Sequence, residues 1–280
     1  MIPGHSLQDN IPAILTISSR DKIRIKQLTI RANMLCLVTS GTKYLLKNET
    51  NRLRYSTDSL LMFHQGSVID IINEPPFGAP YQATVISLST DYLQSFSYRH
   101  RHVLATMPFV SNIRTSIFKK DVTSIPSNMV LQEIFLRTVT SIQNFHDYNQ
   151  PLNPLIYIHR LDELLLMLAS LGYQFQTNSK LTMSEKIFRL LGHQLHKNWT
   201  KISVARALNM SESTLDRGLK LEQLNFGSLL RTIRLEHAMS LLLAGHLAIG
   251  EVAVASGYQS HGRFSQAFHK HFGVLPSSIR

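Results

Sequence analysis

The sequence predicts an α+β protein of two unlike domains, a β-rich N-terminal half carrying two helices and an all-α C-terminal half. Three observations carry this. Short apolar runs broken by turn-forming residues extend from Gln27 to about Ser89, the apolar period becomes helical between Ser127 and Leu171, and amphipathic segments punctuated by Gly, Asn or Ser fill the chain after Lys180. At 280 residues the chain is long enough for two cores, given roughly 100 to 200 residues per domain.

In chain order, LTIRANMLCLVTSG, KYLLKN, RLRYSTDSLLMFHQGSVIDII and QATVISL read as β-strands, with breaks at Ser40-Gly41, Asn48 to Asn51, Gln65-Gly66 and NEPPFGAP. This pattern predicts an antiparallel barrel or sandwich. Leu131, Ile134, Phe135, Thr138, Ile142 and Phe145 then recur at helical spacing. A second helix, LIYIHRLDELLLMLAS from Leu155, is apolar around most of its circumference and must be covered on nearly every side. Packing under the β-structure and contact with a second copy in a homodimer, through helices near 128–171, both satisfy it. The segment Gly172 to Lys180 lacks periodicity and is rich in Gln, Asn, Ser and Thr, so residues 172–180 are the expected linker between domains 1–171 and 181–280.

Composition narrows the function. No run of 18 apolar residues and no charged start followed by an apolar stretch is present, which argues against a membrane span or a secreted precursor, and the single cysteine fits an expected reducing cytoplasm. Cys36 is the one cysteine, so neither an internal disulfide nor a thiolate zinc cluster can form. No nucleophile with its base, Gly-rich phosphate loop or paired catalytic carboxylates stands at recognisable spacing, so no enzyme, catalytic residue, metal or cofactor is expected. The net charge of +11 points to a polyanionic partner. From Lys180 onward there are 13 basic and six acidic residues, a net of +7.

The strongest signal is an internal repeat. VARALNMSESTLDRGL from Val204 aligns with VAVASGYQSHGRFSQAF from Val252, at an offset of 48 that becomes 49 after one inserted residue. Val204 and Ala205 match Val252 and Ala253, Asn209 matches Gly257, Ser211 matches Ser260, and Leu215 and Leu219 match Phe264 and Phe268. Each match has a physical reason. A small Ala lets two helices approach, Asn or Gly takes the left-handed turn, Ser caps the second helix, and the apolar i, i+4 pair pins it to the first. Two helix-turn-helix units follow, at about 202–221 and 249–271.

With Ser211 and Ser260 as caps, Ser213, Asp216, Arg217 and Lys220 face outward in the first unit, and Gly262, Arg263 and Gln266, with His261 at the lip, in the second. Arg can pair with guanine and Gln with adenine. LLRTIRLEHAMSLLLAG, amphipathic through Leu230, Ile233, Ala238, Leu241 and Leu242 and closed by Gly245, joins the units. A helix of about 17 residues is about 26 Å long, enough to set two reading helices in major grooves about 34 Å apart. Arg231 and Arg234 on it either touch phosphate or fix the helices, and Lys220 and Lys270 lie close enough to serve the backbone.

These residues make the last 100 or so positions resemble the DNA-binding domain of AraC/XylS-type bacterial transcription regulators. IGEVAVASGYQS from Ile249, followed by FSQAFHKHFGVLPSSIR, carries most of the signature, and WTKISVARALNMSESTLDRGLK from Trp199 fits as well. The resemblance implies a transcription regulator that binds double-stranded promoter DNA and activates by contacting RNA polymerase, with repression the alternative. By position it places base contacts on Ser213, Asp216 and Arg217, and on His261, Gly262, Arg263 and Gln266. Three residues depart from a comfortable pattern: Asp216 puts negative charge near phosphates, Gly218 weakens a helix by about 1 kcal/mol, and Gly262 has no side chain to read with.

The N-terminal half is similar to the cupin-like β-barrel sensor domains of the same family, notably at YSTDSLLMFHQGSVIDI. His64 there has no second histidine nearby and reads as structural. LDELLLMLAS is similar to the dimerisation helix of members that switch on type III secretion and other virulence genes, which implies a fatty-acid-like ligand or a regulatory protein as effector. The DNA-repair methyltransferases with a related DNA-binding domain need several cysteines, which this chain lacks.

Overall fold

The computed structural model describes residues 12–46, 52–57, 59–107, 122–126, 128–147, 154–175, 181–192 and 194–279. The chain divides into two compact units, Met1–Thr177 and Asn178–Arg280. The Asn48 to Asn51 break, residues 176–180 of the expected linker and the side chain of Phe145 lie outside the described residues.

The first unit holds β1 (Ala13–Ser19), β2 (Ile23–Thr29), β3 (Asn33–Ser40), β4 (Thr42–Leu46), β5 (Arg52–Tyr55), β6 (Ser59–Phe63), β7 (Val68–Glu74), β8 (Tyr81–Leu88) and β9 (Val122–Pro126). They form two antiparallel sheets, ordered β1-β8-β3-β6-β9 and β2-β7-β4-β5. The α+β class stands, but the cupin-like barrel does not close among the described residues. β1 and β9 bound one sheet, β2 and β5 the other, and no strand is shared between them. Pro126 ends β9, an edge strand of its sheet, where proline is tolerated. Strands β1, β9 and most of β2 were not foreseen: β1 and the front of β2 precede the first apolar run, and β9 offers only Val122 and Ile125 to burial.

Three helices cover one face of the five-stranded sheet: α1 (Thr90–Arg99), α3 (Met129–Asp147) and α4 (Pro154–Ser170), with a single turn, α2 (Arg101–Leu104), after the first. Leu35, Leu37, Leu60, Met62, Ile86 and Leu88 point to that face at the strand period of two and share a core with Phe96, Phe135, Ile142, Leu161, Leu164 and Leu168. The apolar α4 is thus buried against its own sheet. Met129, Leu136, Leu155 and Ile156 on α3 and α4 stay exposed. Asp162 of α4 ties this layer together, accepting from Tyr92 Oη at 2.7 Å, Arg99 Nη2 at 2.7 Å and His100 Nε2 at 2.8 Å. His64 Nε2 lies 3.2 Å from Thr123 Oγ1, between neighbouring strands.

The second unit is all helix: α5 (Met183–Leu191), α6 (Lys201–Ala207), α7 (Glu212–Leu221), α8 (Phe226–Ala244), α9 (Ile249–Ala255) and α10 (His261–Phe272), then a 3-10 turn at Pro276–Ser278. The helical pattern of MSEKIFRLLGHQLHKNW, from Met183, predicts one helix to Trp199; α5 stops at Leu191, and residues 194–199 make a compact connection instead. Ile187, Leu191, Val204, Leu215, Leu219, Leu229 and Ile233 close one core. Phe264, Phe268 and Phe272, one turn apart on α10, are fully buried and stack in sequence with centroids 5.6 and 4.7 Å apart. Burying each contributes roughly 2 to 3 kcal/mol. No helix among the described residues is long and apolar enough to cross a membrane.

Candidate nucleic-acid interface

The two halves of the repeat are the same local structure. In the first, Asn209 has φ +53° and the amides of Asn209 and Met210 donate to Arg206 O and Ala205 O, each at 3.0 Å. In the second, Gly257 has φ +81° and the amides of Gly257 and Tyr258 donate to Val254 O and Ala253 O, each at 2.9 Å. Both are Schellman turns with one left-handed residue closing the preceding helix. Ser211 then caps α7 by accepting from the Thr214 amide, and Ser260 caps α10 by accepting from the Arg263 amide. The extra residue in the second turn is Gln259, which places Ser260 one position later than Ser211.

These turns leave one ridge of each second helix in solvent. On α7, Ser213, Arg217 and Lys220 are exposed, while Leu215 and Leu219 on the opposite side are buried. On α10, His261, Gly262, Arg263, Gln266 and Lys270 are exposed, and Phe264 and Phe268 are buried. Neither ridge is packed into the protein. A Cβ built on Gly262 would meet nothing closer than Ser260 Oγ at 3.9 Å, so the α10 N-terminus offers open backbone to a ligand.

Asp216 is partnered: Lys201 Nζ, at the start of α6, donates to its Oδ2 at 2.8 Å and stands 3.7 Å from Glu212. The hydrogen bond and charge of Asp216 hold the Lys201 ammonium above its usual range. Gly218 has a packing reason, since a Cβ there would stand 2.6 Å from Met183 Cε and 3.1 Å from Met183 Cβ. Helix α5 therefore lies close against α7. Glu222, just past α7, accepts from the amides of Met183 and Ser184 and so caps α5 from outside, opposite the positive end of that helix. Lys201, Met183 and Glu222 escaped the sequence reading because each acts across 15 to 39 residues, beyond any helical period.

The joining helix α8 ends at Gly245 as expected. Arg231 is exposed, but Arg234 turns inward and its Nη2 donates to Lys197 O at 3.0 Å. Of the two roles open to Arg234, fixing helices is the one the geometry supports.

The model of the ExsA N-terminal regulatory domain matches residues 33–178, and that of a helix-turn-helix domain matches residues 204–280. The chain belongs to the AraC/XylS family of transcription regulators. It is similar over most of its length to the DNA-binding dual transcriptional regulator Rns of Escherichia coli, at 24% identity across 93% of this chain and 94% of that one. The virulence regulon transcriptional activator VirF of Shigella flexneri is 31% identical over 101 residues, 36% of this chain and 38% of that one. Among solved structures, an apo form of a ToxT variant from Vibrio cholerae shares the fold with a TM-score of 0.67 at 18% identity, covering 95% of this chain and 94% of that one. The regulator thus carries a DNA-binding domain after an N-terminal regulatory domain.

Proposed function

We propose that this regulator is a promoter-binding activator, not an enzyme, that reads two stretches of one DNA face with α7 and α10 and helps recruit RNA polymerase in the cytoplasm. The single observation that carries the reading is the pair of exposed polar ridges on two equivalently built, serine-capped helices. Arg217, Arg263 and Gln266 are assigned to base edges, with Ser213 and His261 beside them. Ser211, Ser260, Lys220, Arg231 and Lys270 are assigned to phosphates, and Gly262 to a close approach of backbone to the duplex. Asp216, held by Lys201, positions α7 more than it reads a base. Activation is supported by the likeness to VirF, named as an activator of a virulence regulon.

The N-terminal unit is assigned regulation and homodimer contact, the latter through the exposed Met129, Leu136, Leu155 and Ile156. One structure of ToxT, at 17% identity, is described as bound to an unsaturated fatty acid. In this chain a cavity between α1, α4 and residues 173–175 is lined by Met62, Leu93, Phe96, Leu165, Tyr173 and their neighbours, with no basic side chain among the described lining residues to meet a carboxylate. The effector is assigned to a fatty-acid-like ligand or a regulatory protein. Genome-wide mapping of the bound full-length chain, paired with transcript levels in a deletion strain, tests the reading. Discrete occupied promoters whose transcripts fall on deletion are expected; no enriched site would overturn it.

A further inference from the structure

We infer that Arg234 and Gly257 form an interlock holding the two helix-turn-helix units at one separation, so that the protein itself measures the distance between its two DNA subsites. The inference rests on the reading of α7 and α10 as DNA-reading helices. A single joining helix leaves the second unit free to bend and twist at its end unless something else ties it back. Leu229, Leu230 and Ile233 at the front of α8 belong to the core of the first helix-turn-helix unit, and α9 and α10 also pack against α8. Between them stands Arg234.

Its guanidinium reaches back to Lys197 O at 3.0 Å, on the connection between α5 and α6. That connection is itself fixed, because Trp199 Nε1 donates to Gln194 O at 2.9 Å and the Lys197 amide to the same oxygen at 3.1 Å. The turn of the second unit presses on the same spot. A Cβ on Gly257 would stand 2.7 Å from Arg234 Nε and 2.9 Å from its Cζ, and closer still to the backbone oxygen of Leu195. Three segments from both units therefore meet within van der Waals contact around one planar cation.

The sister turn shows what this contact requires. Asn209 makes the same left-handed turn with the same two hydrogen bonds, and its side chain is exposed. A left-handed turn therefore accepts Asn; it is the close approach of Arg234 and Leu195 that demands a residue without Cβ at 257. Arg234 also sits at a cost, for its Nε is buried without a hydrogen-bond partner and desolvation pushes the guanidinium below its usual range. The clasp to Lys197 O is thus held against a desolvation penalty.

The test uses full-length protein and a duplex that it selects from a random pool, resynthesised with one, two or about five base pairs inserted between the two subsites. About five base pairs is half a helical turn. Wild type is expected to lose about tenfold or more in affinity on a two-base-pair insertion, since at least one base contact is broken. Gly257→Asn and Arg234→Gln should bind the native spacing more weakly yet lose less than about threefold on the same insertion, because a loosened second unit can follow its subsite. Variants that reproduce the wild-type spacing profile would overturn the inference, as would a wild type insensitive to spacing. If one variant fails to fold, the other carries the test; loss of a cooperative unfolding transition in both would mark the pair as ordinary core packing and overturn it. A wild type that selects no sequence at all would instead sink the DNA-reading assignment beneath it.

Discussion

Lys201 Nζ lies 2.8 Å from Asp216 Oδ2, so the acidic residue in the middle of α7 is held by the opening residue of α6. The pair partly cancels the negative charge of Asp216, and the contact steadies α7 against α6.

Asp216→Ala should therefore strengthen non-specific DNA binding and free Lys201 for a phosphate. The slope of log affinity against log salt is expected to steepen by about one unit. Loss of discrimination at a single base pair, with the slope unchanged, would make Asp216 a base reader instead.

Gly218→Ala separates two physical effects of opposite sign. On an open helix face, Ala would stabilise by about 1 kcal/mol over Gly. Here the new Cβ meets Met183 Cβ and Cγ at 3.1 Å, so overpacking is expected to destabilise by about 1 to 3 kcal/mol in urea unfolding. Met183→Ala in the same chain should recover part of that loss, and a stabilised single variant would contradict the packing seen between α5 and α7.

The Asp162 network makes the N-terminal unit acid-sensitive. Burial alone would push the Asp162 carboxyl up, but the Arg99 guanidinium, His100 and the Tyr92 hydroxyl together hold it below the ordinary carboxylate range. The unfolded carboxyl titrates near about 3.9, so the stability held here is complete above that pH and is lost as pH falls through the lower, folded value. Asp162→Asn should lower stability at pH 7 by about 1 to 3 kcal/mol, with the gap to wild type narrowing under acid. Denaturant unfolding at pH 7 and pH 3 checks this; parallel losses at both would remove Asp162 from the acid response.

Much of the C-terminal unit was legible because its function rests on local chemistry. Asn209, Gly257, Ser211 and Ser260 each satisfy a rule spanning a few residues, and the two copies check each other. What escaped notice depends on distant partners: the Arg234 clasp, the Met183 contact that calls for Gly218, and Lys201 beside Asp216. In the N-terminal unit the strand segments between Leu28 and Leu88 were visible, but β1, β9 and the assignment of each strand to its sheet were not. Pairing such as Leu60 with both Leu37 and Ile125 joins residues far apart in sequence, which alternation cannot reveal. Lys43 shows the same limit. Nothing in the strand segment KYLLKN signals its burial on β4, with Nζ 2.7 Å from Asn73 Oδ1.

The most direct measurement titrates full-length protein against its selected duplex and a random duplex between about 50 and 200 mM salt, for wild type, Arg217→Ala and Gln266→Ala. Each substitution is expected to cost about 1 to 3 kcal/mol on the selected duplex and almost nothing on the random one, with all affinities falling steeply as salt rises. Equal losses on both duplexes, or affinities indifferent to salt, would contradict two helices reading base edges from a phosphate-anchored surface.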